Sequence, residues 1–166
     1  MYDYVVEELP ALIETTFPVT TQQAIAGHSM GSHGALMIAL NNPTSYVSVS
    51  AFSPISNPTQ CPWGQKAFET YLGRDRDSWR SYDSSELLKN AEKPVPMLML
   101  MDQGEADSFL VEQLKPEALE AAAKASNYPL QLRRYSGYDH NYYFIASFIE
   151  GHVRFHAKYL CQIYPN

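Results

Sequence analysis

Gly27-His28-Ser29-Met30-Gly31 fits the G-x-S-x-G pattern of a nucleophile elbow, in which a sharp strand-to-helix turn lifts a serine hydroxyl above the end of a parallel sheet. Ser29 is the candidate nucleophile. Flanking glycines let the backbone make such a turn without a clash. Three fixed positions in five form a weak pattern, so the flanks must carry the assignment. Gln23-Ala24-Ile25-Ala26 is a short, moderately apolar run suited to a buried strand. Gly34 to Leu40 is small at its start, then apolar and helix-forming, and it ends at Asn41-Asn42-Pro43. Strand, glycine turn and helix stand in the required order.

A serine of this kind needs a base and an acid, and in this arrangement they follow in the order Ser, Asp or Glu, His. Five histidines compete for the base. His28 and His33 adjoin the nucleophile, but the turn points neighbouring side chains elsewhere, so packing is their expected role. His152 and His156 fall on a C-terminal helix whose apolar stripe is read as Ile145, Phe148, Ile149, Val153 and Tyr159. Their spacing of four would suit a shared metal, yet no Glu follows His152 and no third ligand stands out, so a plain helix-face role is expected. His140 remains. It sits in Tyr138-Asp139-His140-Asn141, just after the strand-like Leu130 to Tyr135 and a turn at Ser136-Gly137. The carboxyl end of a parallel strand is where catalytic groups gather in open α/β sheets.

For the acid, the apolar run Val95 to Met101 reads as a buried strand and empties into Asp102-Gln103-Gly104-Glu105-Ala106-Asp107. Asp102 stands at the strand end, and Asp107 lies deeper in the loop with more freedom to reach an imidazole. Spacing gives Asp107 a modest edge and leaves Asp102 as its rival. Asp139, adjacent to His140, ranks third because neighbouring loop residues rarely face one another.

The coarse order is a helix over Tyr2 to Glu14, bent at Pro10, then elbow strand, helix, and a strand at Tyr46 to Phe52. A long excursion from Ser53 to Asn90 follows, then a strand at Val95 to Met101, a helix at Pro116 to Ala125, a strand at Leu130 to Tyr135 and a closing helix. This alternation predicts an α/β fold, a mostly parallel sheet flanked by helices, in a single domain over residues 1–166. In the excursion, Trp63, Phe68, Tyr71 and Trp79 are expected to pack a cap against the sheet, with a substrate-pocket wall as the alternative.

With 166 residues and 45% hydrophobic content, one domain with a substantial core is expected. The net charge of −6 argues against a nucleic-acid surface. No apolar stretch reaches the length of a membrane span, and no secretory signal pattern opens the sequence. Cytoplasmic localisation is the default expectation. Cys61 and Cys161 are too few and too far apart to imply a disulfide framework, so reduced thiols are expected.

The chain resembles the C-terminal portion of the S-formylglutathione hydrolase (esterase D) family. The segments that carry the resemblance are Met1-Tyr2-Asp3-Tyr4, Glu8 to Ile13, the elbow with His33-Gly34-Ala35, Ser48 to Ile55, Cys61 to Phe68, Tyr71-Leu72-Gly73, Asp102-Gln103-Gly104 through Leu110, and Gly137 to Ile145. They run over nearly the whole chain. The resemblance implies an α/β-hydrolase fold, with the nucleophile on Ser29, the acid on Asp107 and the base on His140. It thereby favours Asp107 over Asp102. The implied substrate is a small-molecule thioester, S-formylglutathione, cleaved to formate and glutathione in formaldehyde detoxification, with no metal or organic cofactor. One departure is Ser32, which stands where the family usually has a second glycine; a side chain there is expected to crowd the helix–strand packing or shift the turn.

A larger departure concerns the oxyanion hole. One donor is the backbone N–H after the nucleophile, here Met30, and the other comes from a loop after an earlier strand. Before Gly27 there is room only for the first helix and the elbow strand. The chain is therefore expected to be N-terminally truncated, a weak hydrolase on its own, and prone to form a homo-oligomer through the exposed sheet edge. A carboxylesterase for small acyl esters and a non-catalytic fragment are the competing readings.

Overall fold

The computed structural model describes residues 1–91 and 97–161. The chain opens with a π-helical turn, Tyr4–Glu8, that runs into α1, Leu9–Thr16. Pro10 lies inside a helical run that is unbroken from Tyr4 to Thr16, so its missing N–H forfeits a bond to the preceding turn, and the expected bend becomes a junction of π- and α-helical segments. There follow β1 (Ala24–His28), α2 (Met30–Asn41), β2 (Ser48–Phe52), α3 (Pro62–Leu72), α4 (Arg76–Trp79) and α5 (Ser84–Lys89). The remainder is β3 (Leu98–Gly104), α6 (Pro116–Ala125), β4 (Leu130–Tyr135) and α7 (Tyr142–Leu160).

Two elements, α6 and β4, have the bounds expected from the sequence. The strand expected at 95–101 is displaced: β3 continues to Gly104, so Asp102 and Gln103 are strand residues. Val95 and Pro96 lie outside the described residues. A carboxylate is tolerated inside β3 because Arg133, opposite it on β4, binds it.

The four strands are all parallel and run in the order β1-β2-β3-β4. Consecutive neighbours joined by crossovers of one hand place α2, α5 and α6 on the same face. There lies the main apolar core, with Leu36 and Ala39 of α2, Val49 and Ala51 of β2, Leu88 of α5, Met99 and Met101 of β3, and Leu119 and Ala122 of α6. Because side chains alternate along a strand, Ser48, Ser50, Phe52 and Asp102 turn to the other face, beneath α7.

That second face is polar at its centre, which corrects the expected orientation of α7. Ile149 and Val153, read as core, are exposed, whereas His152 is buried. His156 is partly buried, and its Nδ1 and Nε2 stand 2.8 and 2.7 Å from the hydroxyls of Ser48 and Ser50. A neutral imidazole has one donor and one acceptor nitrogen, so it can bridge two serines. Burial, with a smaller contribution from His152 nearby, lowers the His156 pKa from 6.5 to about 4.

Among the described residues, β1 is paired on one side only. Beside its other edge is an apolar groove of about 530 Å³ lined by Val5, Leu9, Ile13, Val19 and Ile25.

The buried imidazoles make stability pH-dependent. An unfolded chain takes up the His156 proton near 6.5, while the folded chain resists it down to about 4, so stability is complete above this window and falls as pH drops through it. His33, held near 4 by burial, acts in the same direction. The melting temperature is expected to fall across this range, and His156→Gln, which keeps a donor and an acceptor but does not titrate, is expected to flatten the fall. Thermal melts from neutral pH to about 4 test this. An equal slope in the variant would place the acid sensitivity elsewhere.

Candidate active site

The turn between β1 and α2 is made by Ser29 alone, at φ 56° and ψ −117°, a region that strains any L-residue. Its N–H donates to Phe52 O at 2.9 Å, and its carbonyl accepts from His33 N–H at 3.0 Å. Gly27 is needed here on steric grounds. A Cβ at that position would stand 2.3 Å from the backbone carbonyl of Gly31. At Gly31 a Cβ would meet nothing. Ser32 is fully buried, and its hydroxyl is shared between Gly27 O at 2.5 Å and Phe52 O at 2.8 Å. The side chain expected to crowd this junction instead ties the helix start to the ends of β1 and β2.

The loops after β3 and β4 are joined to each other. Glu105 N–H donates to Tyr135 O at 3.0 Å and Ala106 N–H to Tyr138 O at 2.9 Å. Gly104 permits this approach, since a Cβ there would lie 2.4 Å from Tyr138 O. The joined loops bring Asp107 Oδ2 to 2.6 Å from His140 Nδ1, and His140 Nε2 stands 2.9 Å from Ser29 Oγ. An ionised carboxylate can only accept, so Nδ1 carries the hydrogen and Nε2 is free to accept from the serine hydroxyl. Burial, the largest influence on Asp107, pushes its carboxyl up. Hydrogen bonds from His140, the Phe109 N–H and the Ser53 hydroxyl, with the attraction of His140, outweigh it and hold the group below its ordinary value.

The rival residues are otherwise engaged. Asp102 faces α7 and is bound by Arg133, away from His140. Asp139 accepts from Asn141 N–H at 3.1 Å, and Asn141 in turn caps α7 through Tyr143 N–H. His28 does pack, as expected, but against His140, with ring centroids 4.7 Å apart. Burial, then repulsion from His140, lowers its pKa, which disfavours a positive charge on His28 beside that ring. His33 lies against Phe68. Two residues escaped the sequence reading. Ser53 supports Asp107 from a strained φ of 44°, for which the sequence carries no signal. Arg133 had one: it is the cation on a strand pairing with the carboxylate strand.

Of Trp63, Phe68, Tyr71 and Trp79, Trp63 alone reaches the site, at 4.7 Å from Phe109, whose ring edge meets His140 at 5.2 Å. Phe68 and Trp79 are buried against each other, and Tyr71 is exposed. Met30 is 75% exposed, and as the first residue of α2 its N–H has no intrahelical acceptor.

A serine on an elbow, at the carboxyl end of a parallel sheet, within reach of a histidine on a later loop, defines the α/β-hydrolase fold. Residues 1–155 match the family model described as "Putative esterase", and the chain belongs to this esterase family. It is similar to an S-formylglutathione hydrolase from Agrobacterium tumefaciens, with 48% identity over 96% of this chain and a TM-score of 0.90. The chain spans 57% of that protein's length. The fold is shared with FphF, a fluorophosphonate-binding serine hydrolase of Staphylococcus aureus, at 22% identity, over 93% of this chain and 62% of that one, with a TM-score of 0.74. A ferulic acid esterase shares it at 19% identity, over 95% of this chain and 61% of the other, with a TM-score of 0.76.

The two motif glycines are expected to respond differently to alanine. Gly27→Ala forces backbone against backbone and should destabilise by roughly 1–3 kcal/mol or prevent folding. Gly31→Ala adds a methyl to open space in a helix, and should be neutral or stabilising by up to about 1 kcal/mol. Thermal melts of the two variants decide, and equal losses would refute the steric account.

Proposed function

We propose that the protein is a serine thioesterase that hydrolyses S-formylglutathione to formate and glutathione, a step in formaldehyde detoxification, with Ser29, His140 and Asp107 as its catalytic residues. The observation that carries this reading is the unbroken hydrogen-bonded path from Ser29 Oγ through His140 to Asp107, built from three separate loops. The substrate class rests on the similarity to the Agrobacterium enzyme.

In this reading, His140 Nε2 accepts the Ser29 proton as Oγ attacks the formyl carbon. Asp107 holds the tautomer and stabilises the imidazolium without taking the proton. The Met30 N–H donates to the developing oxyanion. The tetrahedral species collapses with cleavage of the C–S bond, and protonated His140 delivers its proton to the departing thiolate. Water, deprotonated by His140, then attacks the formyl-enzyme and releases formate. Trp63 and Phe109 form the wall beside the base. No metal or organic cofactor enters these steps. Among the described residues no helix is long and apolar enough to cross a membrane. A cytoplasmic setting accords with the free Cys61 and Cys161.

The expected result is that Ser29→Ala abolishes labelling by a fluorophosphonate probe, and that His140→Ala and Asp107→Ala each lower turnover of S-formylglutathione by about a thousandfold or more. Turnover of an aryl acetate without turnover of the thioester would move the assignment to a carboxylesterase for small acyl esters. Undiminished labelling of the Ser29→Ala protein would remove the nucleophile.

For the 166-residue polypeptide by itself, a weak reaction is expected. Met30 is proposed as one oxyanion donor, and an enzyme that works with one donor fewer loses on the order of a hundredfold in turnover. The unpaired edge of β1 and the adjoining groove are expected to drive self-association. A monomeric mass in solution, with turnover like that of the Agrobacterium relative, would contradict both expectations.

A further inference from the structure

We infer that Asp102, Arg133 and His152 are positioning residues, a polar cluster centred on a buried carboxylate that never touches substrate but fixes Asp107 and His140 relative to each other. This rests on the reading of Ser29, His140 and Asp107 given above and names what holds their geometry.

The cluster occupies one register row across the sheet. His28 of β1 is paired with Phe52 of β2, Phe52 with Asp102 of β3, and Asp102 with Arg133 of β4. Every strand of this row leads into the site. β1 leads directly to Ser29, β2 to Ser53, β3 to the loop of Asp107, and β4 to the loop of His140. A displacement between β3 and β4 at this row would pass straight to the acid and the base.

Asp102 is fully buried, and both of its oxygens are bound by one guanidinium, Oδ1 by Nε and Oδ2 by Nη2, at 2.6 Å each. A fork of this kind has one low-energy geometry in both distance and angle. Buried ion pairs contribute little net stability compared with well-packed apolar residues, whereas they can select a unique arrangement. At this row β3 and β4 therefore have a defined position that two leucines would not impose.

His152 extends the lock to α7. Its Nε2 lies 3.1 Å from Asp102 Oδ2, and its ring stacks on Phe52 at 3.8 Å. The approach is a close polar contact rather than an aligned hydrogen bond, and both ring nitrogens are buried with no hydrogen-bond partner. One helical position earlier, Gly151 lies over the guanidinium of Arg133, whose nitrogens stand 3.6 Å from where a Cβ would be, an ordinary contact distance. Helix α7 begins at Tyr142, directly after His140-Asn141. The roll of α7 on the sheet thus sets where His140 starts.

The test compares three variants of the chain. Arg133→Lys keeps the charge and loses the fork. Asp102→Asn keeps the shape and loses the charge. The double variant Asp102→Leu/Arg133→Met replaces the pair with apolar groups of similar size. Each is measured for melting temperature, for the rate of Ser29 labelling by a fluorophosphonate, and for the far-downfield proton NMR signal of the His140 Nδ1–H bonded to Asp107. Arg134→Ala is the control, because Arg134 lies on the same strand but pairs at the surface with Glu117 and Glu120.

All three cluster variants are expected to slow labelling by about ten- to a hundredfold, as misplacement of catalytic groups by an ångström or less does. Their downfield signal should broaden or vanish while the control keeps both readouts. The deciding result is the double variant, expected to melt near the wild-type temperature yet to label slowly. Recovery of labelling and signal together with melting temperature would reduce the cluster to packing and overturn the inference. So would an unchanged signal in Arg133→Lys. The NMR readout needs no hydrolysis, so a wild-type chain that shows the signal but resists the probe would count against the proposed function alone.

Discussion

The strained backbone of Ser29 is the constraint on which the rest depends. A residue at φ 56° costs roughly 1–3 kcal/mol, and it persists only where its surroundings leave no alternative. Here the turn is clamped from both sides. Gly27 lets the first turn of α2 pack on the end of β1 at a distance no side chain permits, and the Ser32 hydroxyl and the Ser29 N–H both converge on Phe52 O. Hydrogen bonds of this type contribute about 1 kcal/mol each, so two of them are of the same order as the strain they oppose. The hydroxyl that protrudes is the consequence.

The two faces of the sheet divide the work. The face under α2, α5 and α6 is apolar and supplies cohesion; the face under α7 is polar and supplies alignment. The alternation in Ser48-Val49-Ser50-Ala51-Phe52 is the imprint of this division on one strand, with Val49 and Ala51 in the core and the serines held by His156. A buried polar face is costly unless most of its groups find partners, and here the serines pair with His156 and Asp102 with Arg133, while His152 stacks on Phe52.

What was legible in the sequence follows from how narrowly each position is specified. The elbow was legible because a sharp turn admits few residues at Gly27. His140 was legible because it follows a strand-like run and a glycine turn, where parallel sheets expose their loops. The choice between Asp102 and Asp107 was not legible from spacing, since both follow the same apolar run and a strand's end is set by cross-strand partners. Arg133, distant in sequence, extends β3 through Asp102 and so moves the loop onward to Asp107. The face of α7 was misread for a related reason. Apolar periodicity locates a buried stripe only when the opposing surface is apolar, and here the sheet offers serines and a carboxylate, so His152 turns inward and Val153 outward.

The position of β2 explains why the site needs so many polar ties. In the order β1-β2-β3-β4, Ser29 and the acid loop leave strands that are not neighbours, and His140 leaves a strand farther away still. Strand β2 stands between them and ends in Phe52 O, which accepts from Ser29 and Ser32, and in Ser53, whose N–H donates to Asp102 O. It offers no nucleophile, base or acid to the proposed chemistry. Its end is nevertheless the common reference for the serine on one side and the carboxylate on the other, and only the loop of His140, packed onto Gly104, crosses from the far strand to close the path. A change at the end of β2 therefore reaches both the Ser29 turn and the strand that carries the Asp107 loop at once.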